Sequence, residues 1–435
     1  MAFINPLVSY PQPQIREALL SHYKGRSVDD IPTPSLLIKE SVINGNTTRA
    51  LKRLERTNYK FRAHVKTHKT IEIARKQLGY DLPEYDGKKY DSIVVSTLQE
   101  AFSILNHQTQ TGDVFVNDIV YGLPNITPDT LVKVVELQKQ VKNFRLLVDN
   151  IEHLKILKKF SREHEIKTPW SLFVKLDAGT ARAGISDDYV LGQVLSEIIS
   201  SEELSLFGLY VHAGHSYDSR TVEESEAHFF EELETIVKGL NVLKNKVPDY
   251  DLETVVGSVG ATPTLHSLEH DLFTETSKKV EELVKATEAQ IEVHAGNYSI
   301  CDLQQASTGC INIDNIAVSV LGSVISQYPR RKHPVGELLT NTGVISLSRE
   351  VSPNFPGFGK VIVDIKYGEW AVNRVSQEHG ILQPSNGSDA KLIPIGTKIK
   401  IVPNHACITA NSYNAYYVID DDDKVVDIYI PWRGW

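Results

Sequence analysis

Between residues 61 and 295 the chain repeats one pattern eight times, and that repetition constrains its fold more than any other feature. Short apolar or alternating runs fall at 61–66, 91–97, 113–119, 144–150, 171–177, 204–213, 254–259 and 290–295. Runs with helical spacing fit between most of them, at 98–106, 129–142, 151–164, 186–200, 221–243 and 274–286. Strands that alternate with amphipathic helices predict a parallel sheet. Eight such units over about 240 residues is the arithmetic of a (β/α)8 barrel. A doubly wound open sheet is the alternative. The count, and a lysine where such a sheet carries a glycine fingerprint after its first strand, favour the barrel.

The pattern changes after residue 314. Runs at 316–325, 343–349, 360–366, 398–402, 416–419 and 425–430 read as strands without intervening helices, separated by Pro and Gly turns. The expectation is an α/β chain in three parts: an N-terminal extension over 1–30 packing on the β domain, a (β/α)8 barrel over 31–314, and an all-β domain over 315–435. The run 33–38 reads as an entry strand, with Ser41 capping a helix that continues to Leu54. The Asp420–Asp423 run reads as a solvated hairpin tip.

The first barrel strand carries the most pointed chemistry. Phe61, Ala63 and Val65 alternate with Arg62, His64 and Lys66, the period of a half-buried strand. Thr67 and Thr70 can then cap a helix. Lys66 therefore falls at the C-terminal end of a barrel strand, where catalytic groups of such barrels lie. A lysine there is suited to covalent work with a carbonyl cofactor. A basic helix start on a solvated surface is the plainer reading, but the loops downstream supply a matching site. Gly257-Ser258-Val259-Gly260-Ala261-Thr262-Pro263-Thr264 follows strand seven and His294-Ala295-Gly296-Asn297-Tyr298 follows strand eight. Phosphate sites of such barrels are built there, from backbone N–H groups and hydroxyls. Tyr210 and His212 share one face at the end of strand six, with Tyr217 just beyond. In the β domain, His405 and Cys407 are two residues apart, so an extended backbone would point both the same way. Imidazole and thiolate together suit Zn²⁺.

The segment RAHVKTHKT resembles the cofactor-lysine motif of the D-serine dehydratase and D-threonine aldolase group, fold-type III pyridoxal-phosphate enzymes related to alanine racemase. The resemblance extends from about Thr33 to Pro431. It implies a cofactor bond to Lys66, phosphate ligands among Thr264, Gly296 and Asn297, with Ser258 and Gly260 beside them, and ring contact by His212. Tyr210 and Tyr217 would face cofactor or substrate. The segment from Val174 to Gly184 resembles the KLD-x-G-x-x-R-x-G element of alanine racemase-type barrels, which implies that Arg182 lies near the phenolic oxygen of the cofactor. The H-x-C pair resembles the zinc pair of the dehydratases, whereas the aldolases carry H-x-D. Ser376-Gln377-Glu378-His379-Gly380 also resembles a segment of this group, with no role assignable from sequence.

The implied activity is conversion of D-serine to pyruvate and ammonia, an ammonia-lyase reaction dependent on pyridoxal phosphate and Zn²⁺, with His405, Cys407 and Lys66 catalytic. Cleavage of D-threonine by an aldolase route, a pyridoxal-phosphate homeostasis protein without turnover and a racemase are the alternatives. The resemblance also implies a homodimer in which the β domain of one chain completes the site of the other. A net charge of −9 argues against nucleic acid as a partner. No apolar run approaches the roughly 20 residues of a membrane helix. The odd set Cys301, Cys310 and Cys407, with no secretory signal at the N-terminus, points to the cytoplasm.

Overall fold

In the computed structural model, residues 12–57, 59–271, 274–385 and 389–435 are described. The first eleven residues of the expected N-terminal extension lie outside them. The described residues begin with a helix, Gln12–Tyr23, packed on the last strand. Arg16 donates there to the Ile428 carbonyl and the Asp427 carboxylate.

Strand β1 (Ser35–Lys39) comes next, followed by the helix Glu40–Thr57. Eight parallel strands then close a barrel: β2 (Lys60–His64), β3 (Ser92–Val95), β4 (Asp118–Tyr121), β5 (Asn143–Val148), β6 (Trp170–Leu176), β7 (Leu204–Val211), β8 (Val256–Val259) and β9 (Gln290–Ala295). The seam joins β9 to β2, with Arg62 opposite His294. This is the barrel that the eightfold repeat predicts. One strand is displaced. The run expected at 113–119 yields β4 only from Asp118, because the Gln108 side chain satisfies the backbone N–H groups of Phe115 and Val116 and the carbonyl of Val116. Those groups need no partner on a neighbouring strand.

Both faces of each strand are used. Phe61, Ala63, Ile93 and Val95 join the helix side chains in the outer core. Val94, Val120, Leu147, Phe173, Tyr210 and Val256 fill the lumen. The polar face of β2, expected from its alternation to belong to a half-buried strand, is therefore the lumen itself. Arg62 is 1% exposed. It forks onto Glu292 at 2.8 and 3.0 Å and reaches Asp118 at 2.7 Å. Arg145 holds the far side of Asp118.

The remaining strands are β10 (Val318–Tyr328), β11 (Glu337–Thr340), β12 (Gly359–Ile362), β13 (Trp370–Val375), β14 (Gly380–Pro384), β15 (Lys398–Pro403), β16 (Tyr416–Ile419) and β17 (Val425–Tyr429). With β1 they form a nine-stranded sheet, and β10 pairs with both β15 and β11 so that six strands close on themselves. Three expectations change here. The run 33–38 is not an entry to the barrel, since β1 lies in this sheet between β10 and β16. Its apolar triplet explains why: Leu36 and Ile38 join one core and Leu37 another, so both faces must be covered. Ser41 is not a cap, because the helix begins at Glu40 and the Ser41 hydroxyl donates to Asp421 in the β16–β17 turn. The expected strand at 343–349 is a short helix, Val344–Leu347. A Cβ on Gly343 would lie 2.4 Å from the Gln377 carbonyl oxygen, and that close approach lets Val344 N–H bond to Ser376 O. Among the described residues no helix is long and apolar enough to cross a membrane.

Candidate active site at the barrel mouth

The chain leaves β2 into a turn that sorts its basic residues. Thr70 caps the helix Ile71–Gln77. His68 is fully buried between Gln77 and Thr70, and burial draws its pKa down to about 4. It is a neutral structural group. Lys69 adopts a left-handed backbone (φ 55°) and turns its amine to the buried Glu100 at 3.4 Å. The end of the chain pins this turn: Trp432 N–H donates to the Lys69 carbonyl and the Tyr416 hydroxyl to that of His68. Lys66 is left over. Its amine makes no hydrogen bond or ion pair with any described residue, although its backbone N–H approaches His64 Nδ1.

Around Lys66 the mouth is basic and its imidazoles are neutral. Burial, and then the charge of Lys66, pull His64 well below its ordinary range. Burial brings His212 down to about 3, with Lys66, Arg182 and Lys175 adding to the effect. Its Nδ1 is tied to the Gly260 carbonyl at 2.8 Å. His294 stacks on Tyr210 at 4.1 Å and is likewise driven down by burial; its Nε2 is buried without a partner. Lys175 falls to about 8 through burial and the nearby charge of Arg182. Arg182 is exposed and pairs with no described carboxylate. Three cations thus converge on one opening, an arrangement suited to an anion.

The two expected phosphate loops meet here through their glycines. Gly260 sits at φ 146°, and a Cβ there would lie 2.1 Å from the His294 carbonyl oxygen. A Cβ on Gly296 would lie 2.7 Å from the carbonyl oxygen of His64. The side chains are more committed than the sequence suggests. The Thr264 hydroxyl accepts from Ala261 N–H and donates to Ala261 O. The Asn297 amide donates to Asp302 at 2.7 Å, and its Oδ1 is buried without a partner. Ser258 faces the lumen, bonded to Glu292 and His294.

His405 is the residue before a short helix, Ala406–Ala410, and Cys407 lies within it. The expected extended H-x-C is therefore a helix start, and His405 Nδ1 is buried without a hydrogen-bond partner among the described residues, yet the two side chains still act on each other's charge. Burial opposes charge on His405, but its coupling to Cys407 and the charges of Asp302 and Glu350 outweigh it and lift its pKa to about 9. Burial likewise opposes a Cys407 thiolate, and its coupling to His405 and the charge of Lys66 override it, lowering the thiol. Cys407 Sγ lies 3.2 Å from Thr67 Oγ1. The thiol beside Lys66 thus comes from the same chain, so for this pair no second protomer is needed. Burial pushes the Tyr217 hydroxyl up, and the next contribution is Cys407, so Tyr217 lines this side while Tyr210 lies deeper, beneath His294.

Sequence reasoning passed over four groups that shape the site. His64, Lys175 and His294 stood inside quoted motifs, and their inward register on barrel strands was the available signal. Asp302 had none. It accepts from Asn297 and from Ala406 N–H at 2.8 Å, and so fastens the metal-type pair to the barrel. Ser376–Gly380 is the β13–β14 turn that backs the helix Val344–Leu347, which in turn receives Thr409 from the cysteine helix. Its backbone carbonyls support the Val344–Leu347 helix, while the side chains of Gln377, Glu378 and His379 are exposed.

Comparison with known proteins agrees with the two-part fold. The family described as "Alanine racemase, N-terminal domain" matches residues 38–276, and that described as "Putative serine dehydratase domain" matches 317–419. The D-serine dehydratase of Saccharomyces cerevisiae is 40% identical over 436 residues, 96% of this chain and 99% of the relative. The chain belongs to the D-serine dehydratase family. The D-serine dehydratase of Schizosaccharomyces pombe is also 40% identical, over 97% of this chain and 96% of its own length. Among solved structures, the D-threo-3-hydroxyaspartate dehydratase from Delftia sp. HT23 superposes with a TM-score of 0.77 at 24% identity, over 94% of this chain and all of that one. As a member of the D-serine dehydratase family, the chain is a lyase of the ammonia-lyase class. Its fold is of type III, a parallel barrel followed by an antiparallel domain.

Proposed function

We propose that this chain converts D-serine to pyruvate and ammonia with pyridoxal phosphate and Zn²⁺. The observation that carries the reading is the meeting, within one chain, of an uncommitted Lys66 and a polarised His405–Cys407 pair at a basic barrel mouth. Both groups suit the residues present. A phosphate and a phenolate need cations that own-chain carboxylates have not taken, and Arg182 offers one. A zinc ion needs a deprotonated soft donor, and Cys407 is lowered toward that state.

When bound, pyridoxal phosphate supplies the electron sink that lets an amino acid lose its α proton. Zinc supplies Lewis acidity toward a β-hydroxyl, which is otherwise a poor leaving group. Lys66 would be the covalent anchor and, once released, the base that accepts the α proton. Arg182 would hold the phenolic oxygen, and the backbone of the Gly260 and Gly296 loops would receive the phosphate. Gly296, Asn297 and Thr264 remain the proposed phosphate contacts, and His212, fixed by Gly260, the ring contact. Tyr210 supports His294 from below; Tyr217 borders the thiol and would face the substrate. His405 and Cys407 would leave metal positions open for the substrate oxygen. Loss of water, then hydrolysis of the resulting enamine, completes the balance to pyruvate and ammonia.

The head-to-tail homodimer and a cytoplasmic location belong to the same proposal. The dimer rests on the resemblance and on the exposed Arg182 loop at the mouth; sedimentation that finds only monomer would remove it. The location rests on three free thiols. The deciding experiment measures pyruvate from D-serine, L-serine and D-threonine, before and after chelation and with zinc restored. Zinc-restored pyruvate from D-serine is the expected result. Glycine from D-threonine without pyruvate from D-serine would assign the aldolase reaction instead.

A further inference from the structure

A second cluster of metal-type donors lies outside the site just described. His228 and Glu231 sit one turn apart on the helix Val222–Lys246, and His215 comes from the 3₁₀ turn Gly214–Asp218 that follows β7. One nitrogen from each ring and one carboxylate oxygen lie within 4.8 Å of one another. Glu231 Oε2 is 3.2 Å from His215 Nε2 and 2.9 Å from His228 Nδ1. Ligand atoms about 2.0–2.1 Å from a tetrahedral zinc stand about 3.3 Å apart, so these spacings are near those that a shared ion would impose.

The proton count around Thr180 strengthens the case. Thr180 Oγ1 has three neighbours: Gly214 N–H at 3.0 Å, the His212 carbonyl at 3.4 Å and His215 Nδ1 at 3.2 Å. The amide can only donate and the carbonyl can only accept. A hydroxyl has one proton and two lone pairs, so all three contacts are satisfied only if His215 Nδ1–H is a donor. In the neutral ring, that leaves a lone pair on His215 Nε2 facing the Glu231 carboxylate. Two acceptors at this separation require a cation between them, either an extra proton or a metal. An imidazole whose other nitrogen donates to a fixed oxygen is the arrangement metal-ligating histidines show.

We propose that His215, His228 and Glu231 bind a zinc-class divalent cation, with the remaining coordination position open to solvent. The ion would tie the helix Val222–Lys246, through His215 and Thr180, to the loop that carries Arg182. It would thus stiffen one wall of the barrel mouth without touching the His405–Cys407 pair. That mechanical consequence matters to catalysis only if Arg182 has the role given above; binding itself does not depend on it.

The test uses Co²⁺ and Zn²⁺ on the full-length protein. In a His405→Ala/Cys407→Ala variant, Co²⁺ should give visible d–d absorption without a thiolate charge-transfer band, and dialysis should retain one zinc. Adding His228→Ala should abolish both signals. Thr180→Val should weaken binding by about 10–100-fold, the usual cost of losing a partner behind a metal ligand. Should the double variant fold poorly, His228→Ala in the wild-type background should keep any thiolate band and lose one equivalent of metal. Zinc should also slow hydrogen exchange at the Thr180 and Gly214 amides. Absence of cobalt binding in the double variant, or binding that survives His228→Ala, overturns the proposal and assigns the cation between His215 and Glu231 to a proton.

Discussion

Arg62 is the group in the barrel floor whose loss should cost most, and the cost should be unevenly shared. Replacing it with Met keeps the volume and removes the charge. Breaking a buried ion pair by deleting one partner costs about 3–5 kcal/mol, because the surviving charge is left in low dielectric. Here the two survivors differ. Asp118 keeps Arg145, whose Nε lies 3.0 and 2.9 Å from its two oxygens. Among the described residues, Glu292 keeps only the Ser258 hydroxyl at 2.8 Å. The penalty should therefore sit on Glu292. Urea unfolding at fixed protein concentration should show Arg62→Met destabilised by about 3–5 kcal/mol. Adding Glu292→Gln should restore most of that, since it removes the orphaned charge. Adding Asp118→Asn should restore none, since it strands Arg145 as well. Equal recovery by the two second substitutions, or a first loss below the roughly 1 kcal/mol of a surface pair, would refute this account of the floor.

Other predictions concern the mouth. Lys66→Ala should abolish pyruvate formation and the visible absorbance of lysine-bound cofactor together; a variant that keeps both would exclude Lys66 as the anchor. Cys407→Ala should lose zinc and pyruvate formation while keeping that absorbance, and normal turnover of the metal-free variant would remove the metal from the reaction. Glu232 is fully buried, and burial lifts its carboxyl from 4.5 to about 8. The native state then holds a proton that the unfolded chain releases. Stability from this group is complete below pH 4.5 and is lost as pH rises through 8. The ceiling is about 5 kcal/mol, since each tenfold change in proton affinity between the two states is worth about 1.4 kcal/mol. Glu232→Gln should flatten this decline in a series of urea melts across neutral pH, and an unchanged slope would show that another group carries it.

The parts of the fold that the sequence made legible are those where one strand faces one environment. Barrel runs such as Leu172–Val174 and Leu146–Val148 are apolar on both sides, and the capped helices between them keep a 3.6-residue period. The β domain was harder. β13 includes Asn373 and Arg374 at a bulge against β14, so its alternation is broken. The run after Gly343 shows the reverse problem: four apolar-rich residues fit strand and helix equally, and the Ser376–Gln377 carbonyls decided between them. In the site, Lys66 stood out because its spacing to the capping threonine placed it. The partner that sets Lys69 aside, Glu100, lies on a different helix and left no trace near the motif. Asp302 was invisible for the same reason, because its work is to join two loops that are 104 residues apart at their contact.

The placement of β1 has a consequence for how the chain is assembled. The barrel is, in effect, a long insertion between two neighbouring strands of another sheet, β1 and β10. A ribosome delivers β1 first and must complete the whole barrel before β10 and β16 emerge to flank it. Until then, Leu36, Leu37 and Ile38 have no cover. A fragment beginning at residue 315 would lack the strand that joins β10 to β16, and would leave on each of them an edge that β1 covers in the intact protein. The C-terminal domain is thus a separate unit of structure without being a separable unit of chain, and attempts to express it alone should yield aggregation instead of a folded domain.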